Sequence, residues 1–166
     1  MDDITHLATA LGSRLQALGA SVTTAESCTG GGIAEAITRV AGSSAWFEAG
    51  YVTYSNRQKH LQLQVPDTLF SEVGAVSEEV VVAMALGAAR QAQARFSVAV
   101  SGVAGPGGGS ADKPVGTVWL AWADGDRTFT ERKHFDGDRH NVRQQTVLVA
   151  LQGLAALAAG EKPGQG

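Results

Sequence analysis

Apolar residues recur at Leu7, Leu11, Leu15 and Leu18, a helical spacing that predicts an amphipathic first helix ending at Gly19. The period then changes. Ser21 to Ala25 reads SVTTA, short and β-branched, and predicts a buried strand. Helical spacing resumes at Ile33, Ala36, Ile37 and Val40, after a polar, glycine-rich stretch. Trp46 to Ser55 predicts a second strand, Asn56 onward a short helix, and Pro66 a further turn or short helix. Ser77 followed by Glu78 and Glu79 reads as an N-cap with first-turn acids, opening a helix through Gln93. Phe96 to Ser101 is a strand and Gly102 to Pro114 a long loop. Val115 to Ala123 and Thr128 to Phe135 are strands joined at Asp124-Gly125-Asp126, a hairpin signal. The last helix runs from about Asp138 to Ala158.

Strand and helix patterns interleave until the final two strands, which are adjacent. That order predicts an α/β fold, a three-layer α/β/α sandwich with a mixed, mainly parallel sheet of about five strands, one of them antiparallel. Residues 1–159 read as a single domain and 160–166 as a flexible tail. Trp46, Trp119 and Trp122 read as core or interface residues.

Composition narrows the function classes. A chain of 166 residues favours one domain, and 44% hydrophobic with 17% charged residues is a globular balance. The net charge of -3 provides no diffuse attraction for nucleic acid or anionic lipid. One cysteine excludes an intrachain disulfide and a cysteine-built metal cage. His6, His60, His134 and His140 form no metal-binding pair, so neither metal nor cofactor is expected. No apolar run is long enough to span a bilayer, and the acidic start lacks the basic region of a secretory signal. The expectation is a soluble cytoplasmic domain.

Candidate chemistry lies in three stretches and one helix start. In Thr24-Ala25-Glu26-Ser27-Cys28-Thr29-Gly30-Gly31-Gly32, a hydroxyl follows a strand and precedes a helix. Such positions lie where open α/β sheets bind ligands. The helix amides would point back at the hydroxyl and could hold an oxyanion or a phosphate. The alternative is a Ser/Thr-rich turn with Thr29 as N-cap. Cys28 has no partner histidine in the pattern and reads as a small buried hydrophobe. The second stretch places Tyr54 at a strand end and Lys59 in the first turn of a helix. The macrodipole and burial would both favour a neutral amine there, as a base requires. Periodicity alone favours a solvated lysine instead. The third stretch, Ser101 to Ser110, again follows a strand, and its amides could cradle a phosphate. It is not a Walker loop, and the Ser110-to-Lys113 match to S-x-x-K lacks the helix that motif needs. Arg139 and Arg143, one turn apart, could share a phosphate or simply form a solvated helix face.

The runs TAESCTGGGIAEAIT, AGSSAWFEAGYVTYSNRQK, GAVSEEVVVAMA, VSGVAGPGGGSADKPVGTVWLA and FDGDRHNVRQQTV resemble the C-terminal domain of the competence/damage-inducible CinA proteins over about residues 4–158. The chain looks like the short form, without the additional N-terminal domain of the larger relatives. The resemblance implies hydrolysis of the carboxamide of nicotinamide mononucleotide, with no metal. It implies Ser27 as nucleophile, Lys59 as base and Tyr54 as an assisting residue. It also implies substrate contacts at Thr29, Gly30, Gly31, Gly42, Ser43, Ser44, Ser101, Gly102, Ala104, Gly105, Arg139 and Arg143, and a homodimer. The proton route runs from Ser27 to Lys59 either directly or through Tyr54. Competing readings are a non-catalytic nucleotide-binding module linked to competence or DNA damage, and an amidase or esterase acting on another nucleotide-like amide. The acidic charge argues against direct DNA binding.

Overall fold

Helices and strands intermingle along residues 2–164, the part of the chain that the computed structural model describes. Their order is α1 (Asp3–Leu18), β1 (Val22–Glu26), α2 (Gly32–Thr38), a 3-10 turn (Ser43–Ala45), β2 (Phe47–Val52), α3 (Asn56–Leu63), α4 (Asp67–Glu72), α5 (Glu78–Ala92), β3 (Phe96–Gly102), β4 (Thr117–Asp124), β5 (Arg127–His134) and α6 (Arg139–Ala158). Local chemistry marks several of these boundaries. The side chains of Asp2, Ser55, Ser77 and Asp138 cap α1, α3, α5 and α6, each accepting from a first-turn amide. Gly19 closes α1 in the left-handed region, φ 63°.

The sheet order is β2-β1-β3-β4-β5. β1 pairs in parallel with both β2 and β3, whereas β4 runs antiparallel to β3 and to β5. The one antiparallel strand that the pattern predicts is therefore β4. The two faces of the sheet differ in side-chain size. Val22, Phe96, Val98, Val100, Val118, Leu120 and Trp122 pack against α1, α2 and α6. Ala25, Ala99, Ala121 and Ala123 face the layer of α3, α4 and α5. The small face lets α5 approach closely: Ser97 Oγ donates to the Ala85 carbonyl at 2.8 Å. On the large face Trp122 donates to the Ala150 carbonyl at 3.0 Å and covers Gly153, where a Cβ would lie 2.1 Å from the indole.

Two strand boundaries differ from the pattern by more than a residue. β2 ends at Val52, so Thr53 and Tyr54 have already left the sheet. β4 begins at Thr117, because Gly116 (φ 95°) turns the chain where a Cβ would strike the Phe135 carbonyl at 2.2 Å. Pro66 opens a short helix, α4. Leu18, last of the leucine stripe, is 45% exposed, since α1 ends there. The chain after α6 also returns to the sheet: Glu161 N–H donates to the Ala156 carbonyl at 2.8 Å, Pro163 is buried, and Gly164 lies against Thr130. Residues up to Gly164 thus follow the fold; the tail expectation at Gln165 and Gly166 lies outside the described residues.

This topology creates one ligand-accepting edge. Glu26 aligns with Val52 on one side and Val100 on the other, so the parallel strands finish together. The chain leaving β1 turns to α2 on one face, and the chain leaving β2 turns to α3 on the other. A crevice at such a switch point is where open α/β sheets bind ligands.

Candidate active site

Ser27 directly follows β1, with its N–H still bonded to the Val100 carbonyl at 3.2 Å, and its side chain is buried. The central strand thus fixes its backbone. Beyond it the chain turns through Gly30 (φ 59°) and Gly31 (φ 103°), a left-handed pair that favours glycine.

Lys59 is only 1% exposed, which excludes the solvated-lysine reading. It and Leu63, one turn apart, are the buried residues of α3, so the helix carries the amine inward on its buried side. Helical side chains lean toward the N-terminus, and Lys59 Nζ reaches back to donate to the Tyr54 carbonyl at 3.0 Å. It also donates to Ser27 Oγ at 3.1 Å. Ser27 Oγ makes a longer 3.5 Å contact with the same carbonyl. Burial lowers the amine from 10.5 to about 8. A neutral fraction therefore exists at ordinary working pH, at hydrogen-bond distance from a hydroxyl.

Tyr54 presents two separate groups to its surroundings. Its backbone carbonyl orients Lys59, while its phenol, on a 60% exposed residue, accepts from Arg139 at 3.0 Å. Arg139 also donates to the Gly105 carbonyl at 2.9 Å, and Arg143 to the Thr29 carbonyl at 3.1 Å. The two arginines thus pin loops of the site, and neither forms a merely solvated helix face. Arg143 Nε is buried without a partner among the described residues. Cys28 is buried as expected, and burial, followed by the nearby Glu26, pushes its thiol up to about 12, far from a reactive thiolate.

The glycine-rich third stretch behaves differently from a bare cradle. The space a Cβ would need at Gly102 is filled by Val118, at 2.6 Å, and at Gly105 by Val115, at 2.5 Å. These glycines admit neighbouring side chains of the protein. Ser101 and Ala104 are buried beside them. Ser110 and Lys113 form a turn and not a helix, with Lys113 Nζ on the Val73 carbonyl at 2.6 Å.

Gly42, Ser43 and Ser44 stand apart. They precede β2, whose first residue aligns with Val22, so they lie at the opposite sheet edge from Ser27. The chain by itself does not bring them to the site, because a turn entering a parallel strand lies across the sheet from one leaving it. A different residue was missed. Glu26 is buried, and its carboxylate accepts from Thr29 Oγ1 at 2.5 Å, Ile33 N–H at 2.8 Å and Ala34 N–H at 3.0 Å. The first amides of α2 are therefore not free for an oxyanion. Gly30 N–H is likewise bonded, to the Ser27 carbonyl at 3.1 Å. Its sole sequence signal is an acid at the end of an otherwise apolar and hydroxyl-bearing strand.

Among the described residues, no group of three or more His, Cys, Asp or Glu side chains converges as a metal site would require. The chain has relatives among known proteins. The chain is 71% identical to nicotinamide-nucleotide amidohydrolase PncC of Pseudomonas putida, over 95% of this chain and 98% of that protein. It is 52% identical to the protein of the same name in Escherichia coli K12, over 92% and 93%. The crystal structure of the competence/damage inducible protein CihA from Agrobacterium tumefaciens superposes with a TM-score of 0.91 at 45% identity, covering 95% of this chain and 96% of that one. The CinA C-terminal domain model matches residues 4–158, the span that carries every residue of the site described above, and the chain belongs to that family.

Proposed function

We propose that the protein hydrolyses the carboxamide of nicotinamide mononucleotide to nicotinate mononucleotide and ammonia, with Ser27 as nucleophile and Lys59 as base. The 3.1 Å contact between a buried lysine amine and a buried serine hydroxyl at the carboxyl end of β1 carries this reading. The names of the relatives support the substrate class.

Ser27 Oγ attacks the amide carbon as neutral Lys59 takes its proton directly across the 3.1 Å contact, without relay through the Tyr54 phenol. The Tyr54 carbonyl holds the resulting ammonium at 3.0 Å. The oxyanion faces the amides of Thr29 and Gly31, which have no acceptor among the described residues. Lys59 returns the proton to departing ammonia, and water then cleaves the nicotinoyl ester by the same route in reverse. Arg139 and Arg143 supply positive charge at the rim for the substrate phosphate, so binding energy remote from the amide positions the reacting carbon. Homodimer assembly, resting on the resemblance, and a cytoplasmic location without a nucleic-acid or membrane partner, resting on charge and hydropathy, belong to the same reading. No described helix is long and apolar enough to cross a membrane.

The deciding measurement is ammonia release from nicotinamide mononucleotide, beside nicotinamide and its riboside. The nucleotide is expected to be the preferred substrate. Ser27→Ala should lose at least about 10³-fold in kcat while still binding the nucleotide. Lys59→Arg should lose roughly 10²–10⁴-fold, because a guanidinium cannot deprotonate. A substantially active Lys59→Arg enzyme refutes the base. Wild-type protein that binds the nucleotide but releases no ammonia establishes the non-catalytic module instead.

A further inference from the structure

α2 has no cap of its own. Its N-cap position is Gly31, which has no side chain to offer. The cap comes instead from Glu26, seven residues before Ile33, through the bonds to Thr29 Oγ1, Ile33 N–H and Ala34 N–H. Side chains alternate along a strand, so Glu26 projects toward α2 while Ala25 packs in the α5 layer and Ser27 meets Lys59. The residue covalently joined to the Ser27 backbone is thus bolted to the helix that follows Ser27.

We propose that Glu26 is a positioning residue for Ser27: its carboxylate closes the turn from Ser27 to Gly31 and holds the serine hydroxyl against Lys59. This rests on the reading of Ser27 as the nucleophile. The turn needs such a clamp because Gly30 and Gly31 are its most permissive residues, at φ 59° and 103°. Glu26 holds it from both ends. Its backbone carbonyl accepts from Thr53 N–H at 2.9 Å on the β2 side, and its side chain holds Thr29 on the far side of Ser27. Arg143 adds a third hold through the Thr29 carbonyl, at 3.1 Å. A Ser or Asp cap at position 31 would be strained at φ 103°, so the cap is supplied from Glu26. A displacement of about 1 Å at a reacting group can cost on the order of 10²-fold in rate. The clamp also occupies the start of α2, which leaves the substrate's anionic groups to the arginines and the loop amides.

The test compares wild type, Glu26→Gln, Thr29→Val and Ser27→Ala by steady-state hydrolysis of nicotinamide mononucleotide, by the pH profile of kcat/KM, and by thermal melting. Gln keeps the shape but offers one acceptor oxygen in place of two, so part of the clamp is lost. Glu26→Gln should lower kcat at least tenfold with KM within twofold, leave the midpoint of the pH profile in place, and remain folded at the assay temperature. Thr29→Val should show the same split with a smaller, severalfold loss, and it decides the question if Glu26→Gln does not fold. A folded Glu26→Gln enzyme with kcat within twofold of wild type overturns the proposal. So does a loss that falls in KM, or one that disappears well below the melting temperature. An active Ser27→Ala enzyme removes the nucleophile reading and this inference with it. An inactive Ser27→Ala beside an undiminished Glu26→Gln removes the positioning role alone.

Discussion

At the scale of single residues, Lys59 makes the sharpest demand on the fold. Unfolded, its amine titrates near 10.5, and folded near 8, because burial disfavours the ammonium. Between those values the unfolded chain binds more protons, so stability rises with pH across that window. Below about 8 the amine is charged in both states, and the full penalty, roughly 3 kcal/mol at most, is present. Lys59→Met should therefore be more stable than wild type at neutral pH, and urea titrations should show the advantage shrinking as pH approaches 10.5. An advantage independent of pH would place the cost in packing and not in charge. The same titration governs turnover under the Ser/Lys reading. The value of kcat/KM should rise about tenfold per pH unit below the midpoint and level off above about 8.

At the scale of elements, the placement of Lys59 depends on how closely α3 meets α5. A Cβ at Gly87 in α5 would lie 2.0 Å from the Leu63 carbonyl, a backbone atom at the end of α3. Backbone cannot swing aside as a flexible side chain can. Gly87→Ala gains about 1 kcal/mol of helix propensity but should still destabilise the protein, by about 1–3 kcal/mol, as overpacking prevails. It should also lower turnover, since α3 is displaced with Lys59 on it. A neutral or stabilising outcome in a denaturant melt would show that the two helices separate freely. The element boundaries were largely legible, because caps such as Asp2, Ser77 and Asp138 and the two-residue Gly125-Asp126 turn act within their own segments. Where β4 started late, at Gly116, the cause was a neighbour from elsewhere in the chain, the Phe135 carbonyl.

At the scale of the whole molecule, the site is where four connections meet: those after β1, β2 and β3, and the start of α6. α6 fastens the other three through Arg139 and Arg143. If these arginines hold the substrate phosphate, alanine at either should chiefly raise KM, by about 1.5–3 kcal/mol in binding. Unchanged KM in both variants would move the anchor to the Gly102-to-Gly109 loop. With no converging metal-ligand group among the described residues, turnover should survive exhaustive chelation, and activity lost to EDTA and restored by Zn²⁺ would overturn the Ser/Lys mechanism.

The sequence by itself determined the order of strands and helices, the sandwich, the family and the stretches that carry chemistry, because periodicity, capping and turn residues act over a few neighbours. Only the tertiary structure decided which of those residues meet. Lys59 sits in NRQKHLQL, a segment with no clear apolar face, and its burial is imposed by the layer of α5. Arg139 finds the Tyr54 phenol across 85 positions of sequence, and Glu26 finds α2 across a glycine turn. Gly42 to Ser44 match the family runs yet lie at the far sheet edge, since chain direction in a parallel sheet sets which turns share an end. Burial and partnership are properties of elements packed together from distant sequence, and no local pattern encodes them.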